Sequence, residues 1–367
     1  MSNPHLLIEF LHEPARTVNK ATHSDWTDFL QTARRYGLLA TFYTYFDKVG
    51  LLNELPEKVL RHLLSGQNYA NKQAHSIINE LILLEKIFAD AEYNCVLLKG
   101  VAYRCAGFDY SKGRLFSDID LLVPIDCLDD ANMRLSAFGY VESELSTYDR
   151  NYYLHWSHQV PPKHNLLTGA SLDLHHHIYP VISSLKLNIE PFMVHTCSLD
   201  GSKFVIPQHS LMFVHACVHL FYQDESHKLT KDVIDLWMLF QEARSCENEI
   251  LVMANKVGAE HAVAYGLELL TIVFYADLDN DTYAWLNRYR PKNSLVIWLI
   301  KSMLFRKGGI KLVAHTVWFL RGHLLKMGPL TLAYHMIARS YNKFKEYREI
   351  AKKRKELDMK DLPEDAN

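Results

Sequence analysis

The sequence predicts an α+β fold in which short strands form a core flanked by helices, with helix-rich N- and C-terminal regions. Three observations carry this. Apolar residues recur with a period near 3.6 from about Asp25 to Ala91, condense into short continuous runs between Asn94 and Ile178, and return to the helical period after Pro207. The pattern divides the 367 residues into a helical region over 1–90, an α/β core over 91–180, a second helical region over 181–290 and a basic helical region over 291–367.

The elements follow in order. The stretch from Ser76 to Phe88 carries the helical period with no Gly or Pro to break it. Asn94-Cys95-Val96-Leu97-Leu98 is a short apolar run ended by Lys99-Gly100, and Ile119-Asp120-Leu121-Leu122-Val123 is a second, ended by Pro124; both read as buried strands. Asp129 to Phe138 reads as a helix closed by Gly139. Tyr152 to Val160 and Ser171 to Ile178 read as two strands, joined by the turn-rich Pro161-Pro162-Lys163-His164-Asn165 and Thr168-Gly169. Ser210 to Tyr222 and Lys231 to Ala243 are helical, and helices continue to about Lys355. There is no internal repeat of fixed period.

Composition excludes several classes. A chain with 49% hydrophobic and 22% charged residues can bury real cores, which removes disorder as the main description. Six scattered cysteines without a CxxC pair speak against a disulfide framework or a thiolate zinc site and fit a reducing compartment. Glu9 and Glu13 interrupt the start of the chain, which lacks a basic segment ahead of an apolar one; the expected location is the cytoplasm. Leu295 to Ile300 stops at Lys301, and Leu312 to Leu320 contains His315 and stops at Arg321, so neither run is long enough to span a bilayer.

Charge is uneven along the chain. Lys292 to Asn367 holds 16 Lys and Arg against 7 Asp and Glu, a net +9, while the first 291 residues hold 24 against 35, a net −11. The tail culminates in Lys343, Lys345, Arg348, Lys352, Lys353, Arg354 and Lys355. Such a run is usually a solvated helix face; the sharper reading is contact with nucleic acid, anionic membrane or a protein partner. No aromatic stacking motif or nucleic-acid module accompanies it, which leaves nucleic acid the minor reading.

Chemistry concentrates in Arg114-Leu115-Phe116-Ser117-Asp118-Ile119-Asp120-Leu121-Leu122-Val123. A strand repeats every two residues, so Asp118 and Asp120 share one face. Paired carboxylates on a half-buried strand repel and lose hydration unless a cation joins them, and magnesium, which favours oxygen ligands, is the natural occupant. In Leu172-Asp173-Leu174-His175-His176-His177-Ile178, Asp173 opposes the apolar face; alignment of this strand beside Asp118 and Asp120 gives three carboxylates, enough for two metals. Leu97-Leu98-Lys99-Gly100-Val101-Ala102 leads a strand into a helix start, where backbone N–H groups can meet a phosphate and Lys99 and Arg114 add charge.

The ordered set Leu97-Leu98-Lys99-Gly100, Arg114, Ser117-Asp118-Ile119-Asp120-Leu121-Leu122-Val123 and Leu172-Asp173-Leu174-His175 resembles the uncharacterised bacterial nucleotidyltransferase family of the DNA polymerase beta-like superfamily. Gly139-Tyr140 after the first core helix and the helical preamble are similar too, and the likeness covers roughly residues 25 to 245. Where the wider superfamily carries Gly-Ser ahead of the first acid, this chain has Gly100-Val101 and a longer gap to Asp118.

The resemblance implies a minimal nucleotidyltransferase fold, a mixed-sheet core with flanking helices, over 91–180, with 181–290 completing the cleft. It implies Asp118, Asp120 and Asp173 as metal-binding and catalytic acids, Mg2+ as cofactor, and a nucleoside triphosphate as donor. Lys99, Gly100, Val101, Arg114 and Ser117 fall on the nucleotide side, and Lys231 and Asp235 are similar to a Lys/Arg-x-x-x-Asp-Leu element on a helix facing the nucleotide. The expected reaction moves a nucleoside monophosphate to a hydroxyl or phosphate acceptor on a small molecule, sugar, peptide or protein, releasing pyrophosphate. The alternative is a catalytically silent protein of the same fold that works through its basic tail.

Eleven of the 20 histidines lie between His155 and His227. His215 and His219 share a helix face at ligand-compatible spacing, but Ala216 stands where an HExxH motif needs its glutamate, so the zinc-hydrolase reading fails and the pair reads as packed histidine or cleft lining. His175 and His177 project on the Asp173 face as acceptor-side candidates.

Overall fold

A computed structural model describes residues 4–142, 145, 150, 152–153, 156–290 and 295–334, together with 336–337, 340–341, 344 and 348–349. Helices α1 (Pro4–His12), α2 (Pro14–Lys20), α3 (His23–Arg35), α4 (Leu39–Lys48) and the 31-residue α5 (Glu57–Ile87) form the N-terminal layer. Thr22 starts α3 through a capping box: its hydroxyl accepts from the Asp25 N–H while the Asp25 carboxylate accepts from the Thr22 N–H. Phe10, Phe29, Phe42 and Phe46 fill the space between these helices and are fully buried.

The sheet follows, seven strands in the order β3-β4-β5-β2-β1-β7-β6. They are β1 (Cys95–Leu97), β2 (Ile119–Leu122), β3 (Tyr140–Glu142), β4 (Lys163–Asn165), β5 (Ser171–His175), β6 (Thr196–Ser198) and β7 (Phe204–Pro207). β2 runs parallel to β5 and antiparallel to β1, and β1 runs parallel to β7, so the sheet is mixed. β1, β2 and β7 are buried along their whole length, which explains why β1 reads as an unbroken apolar run and β2 as one interrupted by Asp120 alone, instead of as alternating strands. Through β6 and β7 the sheet extends past residue 180 to Pro207. The short α6 (Lys99–Cys105) and α7 (Leu128–Ala137) lie between strands, and Gly139, at φ +84, turns the chain from α7 into β3.

One expected strand is corrected. Tyr152 and Tyr153 are helical, Trp156 N–H bonds to Tyr152 O at 2.9 Å, and among the described residues of this stretch Gln159 alone forms a bridge, to His175; Leu154 and His155 lie outside the described residues. The place beside β5 belongs to β4, within the stretch expected to be a turn. The turn itself sits later, where Asn165 Oδ1 accepts from the N–H groups of Leu167 and Thr168 and Gly169 takes φ +71. Pro161-Pro162 ends any ladder before this point, so pairing begins at Lys163.

The second half of the chain is helical: α8 (Glu190–Val194), then α9 (His209–Tyr222), α10 (Leu229–Ala243), α11 (Glu247–Val257), α12 (Glu260–Val273), α13 (Asn280–Tyr289), α14 (Leu295–Phe305) and α15 (Gly309–Lys326). α9 is buried nearly all round and packs against α10, α11 and α12, the position of a central helix. No helix among the described residues is long and apolar enough to cross a membrane. Lys343, Lys345, Lys352, Lys353, Arg354 and Lys355 of the basic tail lie outside the described residues, and Arg348 is exposed.

Candidate active site

The register of β2 on β5 builds the centre of the site. Ile119 pairs with Leu172, Asp120 with Asp173, Leu121 with Leu174 and Leu122 with His175. Because residues directly abreast in a sheet point to the same side, Asp120 and Asp173 share one face while Leu172 and Leu174 fill the core behind it. His175, two residues beyond Asp173, returns to the acidic face, and its Nε2 lies 3.0 Å from Asp120 Oδ1. One ligand atom each from Asp120, Asp173 and His175 lie within 4.8 Å of one another, the one such His/Cys/Asp/Glu group among the described residues.

Lys99 closes this group from above. It stands at the junction of β1 and α6 at φ +48, a backbone region costly for a residue with a side chain, and its Nζ reaches Asp120 Oδ1 at 2.5 Å. Burial alone would push the Asp120 carboxyl up, but Lys99 and the His175 hydrogen bond outweigh it and hold Asp120 far below the usual carboxylate range. The same pairing raises Lys99 against the opposing effect of its burial. Asp173 moves the other way. Burial, with the Asp120 and Asp118 charges beside it, pushes its carboxyl up, and His175 only partly offsets this.

Arg114 forms the neighbouring wall. The loop that carries it is clamped on α4: Gly113 packs so closely that an added Cβ would stand 2.3 Å from Ala40 O, and Thr41 Oγ1 donates to Gly113 O at 3.1 Å. The Arg114 guanidinium lies across Gly100, where a Cβ would meet Nη1 at 2.0 Å, and sits 5.6 Å from the centre of the Tyr103 ring. Its Nε donates to Asp235 Oδ2 at 3.1 Å, which joins the loop before β2 to α10. Asp235 Oδ1 is buried without a hydrogen-bond partner among the described residues. Asp235 thus pairs with Arg114, 121 residues earlier, and not with Lys231 one helical turn away.

A cavity of about 50 Å³ opens between these pieces, lined by Lys99, Tyr103, Arg114, His215, Ala216, His219, Asp232, Asp235 and Leu239. Burial pushes His215 down to about 3 and takes His219 well below its ordinary value, each also repelled by Lys99, so both imidazoles are neutral at pH 7. Burial and the adjacent Asp235 push Asp232 up to about 7.

The remaining expected residues fall at graded distances. Asp118 precedes the first paired residue of β2, accepts from Ser117 Oγ at 2.7 Å and lies outside the 4.8 Å group, although its charge is felt at Lys99 and Asp173. Ser117 is exposed, and Gly100 and Val101 are buried in the first turn of α6. Lys231 is partly buried near Arg114 and Asp235, and burial lowers its pKa. His177 lies past the end of β5, with Nε2 on Leu187 O at 3.1 Å and Nδ1 accepting the Tyr179 N–H, so both ring nitrogens serve the backbone. His215 and His219 line the cavity from α9.

Asp232 and Tyr103 were not singled out by sequence. Asp232 lies next to Lys231 and three residues before Asp235, a spacing that signals a shared helix face, while nothing in the pattern around Tyr103 marks it.

The donor set fits a divalent cation. Two carboxylates lie against one ammonium group, Asp173 carries the cost of a buried charge in a like-charged neighbourhood, and His175 Nδ1 is buried without a partner among the described residues.

A protein-family model described as an uncharacterised nucleotidyltransferase matches residues 22–275. No curated protein and no solved structure matches the chain.

Proposed function

The chain belongs to the uncharacterised nucleotidyltransferase family, and on that premise we propose that it is a magnesium-dependent enzyme moving a nucleoside monophosphate from a triphosphate donor to a hydroxyl or phosphate acceptor, with release of pyrophosphate. The observation that carries this reading is the Asp120–Asp173 pair held abreast by the β2–β5 register, with His175 in the same group and the cations Lys99 and Arg114 beside it.

Asp120 and Asp173 hold the metal, His175 orients Asp120, and Asp118 completes the acidic edge toward solvent. When bound, magnesium supplies positive charge at the triphosphate and at the acceptor oxygen. Lys99 and Arg114 bind and orient the phosphates through charge-assisted hydrogen bonds, with the first turn of α6 at Gly100 and Val101 and the Ser117 hydroxyl alongside. Lys231 and Asp235 border the nucleotide from α10, Asp235 by fixing the Arg114 guanidinium. Asp173, at the acceptor side of the metal it would help to hold, receives the proton of the acceptor hydroxyl. The acceptor is a small molecule, sugar, peptide or protein.

Calorimetric titration of ATP, GTP, CTP and UTP, with and without magnesium, into the wild type and Asp120→Asn tests this without knowledge of the acceptor. Magnesium-dependent binding of a nucleotide, absent in the variant, is expected, because a neutral amide is a poorer magnesium ligand. No binding of any of the four would turn the reading to a silent scaffold of the same fold.

A further inference from the structure

From Thr282 to Lys345 the chain contains 12 Lys and Arg and not one Asp or Glu, although the protein as a whole is slightly acidic. The structure shows what this stretch does with its apolar residues. One face of α15 is fixed to the body: Ala314 and Trp318 are buried, Gly322 lies so close to Asp224 that a Cβ would stand 2.6 Å from its Cα, Arg321 Nη1 donates to Phe221 O at 2.6 Å, and Lys326 pairs with Asp224. The opposite face carries Leu312, Val313, Phe319, Leu320 and Leu324, between 41% and 69% exposed, with Thr316 among them. Leu312, Thr316, Phe319, Leu320 and Leu324 recur at i, i+4, i+7, i+8 and i+12, the spacing of one helix stripe, and Val313 widens it at i+1. Leu295 and Trp298 on α14 and Leu330, Tyr334, Ile337, Tyr341 and Phe344 beyond α15 are exposed as well.

Exposed apolar surface on this scale marks a contact, and the charge around it selects the partner. Lys301, Arg306 and Lys307 are exposed at the end of α14 and in the turn into α15. A two-fold pairing of this face with a second copy would set cations against cations. An apolar helix stripe with Trp, Phe and Tyr, flanked by Lys and Arg and too polar within α15 to cross a bilayer, has the composition of a helix lying in the plane of a lipid–water interface.

We propose that α14 and α15 dock the protein on an anionic lipid surface, the α15 stripe entering the headgroup–acyl boundary and the basic residues beside it meeting the lipid charges. The inference is independent of the chemistry assigned to the sheet.

The test is sedimentation of the full chain with vesicles of phosphatidylcholine alone and of phosphatidylcholine with about one-third phosphatidylglycerol, at low and high salt. Leu312→Asp/Leu320→Asp/Leu324→Asp and Arg306→Glu/Lys307→Glu are run beside it, with melting curves to show that these surface changes leave the fold intact. The expected result is sedimentation with the anionic vesicles only, weakened by salt, and reduced roughly tenfold or more in each variant. The proposal is overturned by no sedimentation with either vesicle, by equal sedimentation with both, or by wild-type binding in folded variants. It is likewise overturned by an oligomer in solution that the triple variant dissolves while vesicles are ignored, which would assign the face to a second copy, or by binding to DNA or RNA in place of vesicles.

Discussion

Asp232 offers a direct measure of the electrostatics of the cleft. It lies on α10 beside Asp235, whose own partner is Arg114, and burial with the Asp235 charge pushes its carboxyl up to about 7. The unfolded chain has an ordinary Asp value near 3.9, so the folded protein holds a proton on Asp232 that the unfolded chain has released between about pH 4 and 7. Folding stability from this group is therefore complete below about pH 4, declines as pH rises toward 7, and carries the full penalty above that. Three pKa units at ~1.4 kcal/mol each set an upper bound of about 4 kcal/mol, which we halve to about 2 kcal/mol because the residue is only partly buried. Asp232→Asn removes the charge at nearly constant shape. With an unfolding entropy near 2.1 cal/mol/K per residue over 367 residues, 2 kcal/mol corresponds to roughly 2–3 °C. Thermal melts of both proteins from pH 4.5 to 8.5 should show the variant higher by that amount at pH 8, with the gap shrinking toward pH 5. A gap independent of pH, or a variant less stable at pH 8, would refute the argument that Asp232 is a destabilised acid.

Two further outcomes follow from the packing of the site. Gly100→Ala places a methyl group where Arg114 Nη1 now lies, 2.0 Å from the new Cβ, and since the long arginine can swing away, the fold should survive while the Arg114–Asp235 bond breaks. Triphosphate affinity should fall about tenfold, as in Arg114→Ala, and an unchanged calorimetric affinity would remove Arg114 from the phosphate site. Asp173→Asn should raise thermal stability in EDTA at pH 8, because charges within 4.8 Å at an effective dielectric near 20 repel by about 3–4 kcal/mol, which His175 and, to a lesser extent, Lys99 offset only in part. The same variant should lose the stabilisation that magnesium gives the wild type; a magnesium-dependent shift of equal size in both proteins would exclude Asp173 as a ligand.

Which parts of this arrangement could be read from the chain depends on the range of the interaction that makes them. Alternation is local, so the orientation of Asp173 and His175 and the helical spacing of Lys231 and Asp235 are visible in a few residues each. The edge of the sheet was not visible in this way. β3, β4 and β6 have three residues apiece, too few to show a period, and the stretch from Tyr152 to Val160 reads as a strand that the chain forms instead at Lys163–Asn165. Register is not local either. Nothing in either strand says that Asp120, and not Asp118, stands abreast of Asp173, or that Arg114 meets an aspartate 121 residues away.

That dependence has a structural consequence for β5. Its place is set on one side by the ladder to β2 and on the other by the tight turn from β4, where Asn165 Oδ1 and Gly169 define the loop. A slip of one residue would turn Asp173 and His175 toward the core and bring Leu172 and Leu174 to the acidic face, burying two polar side chains unpaired and exposing two leucines. The apolar residues that never touch a substrate therefore specify the site as strictly as the acids do. Leu172 and Leu174, fully buried, hold Asp173 opposite Asp120 by making every other register more costly.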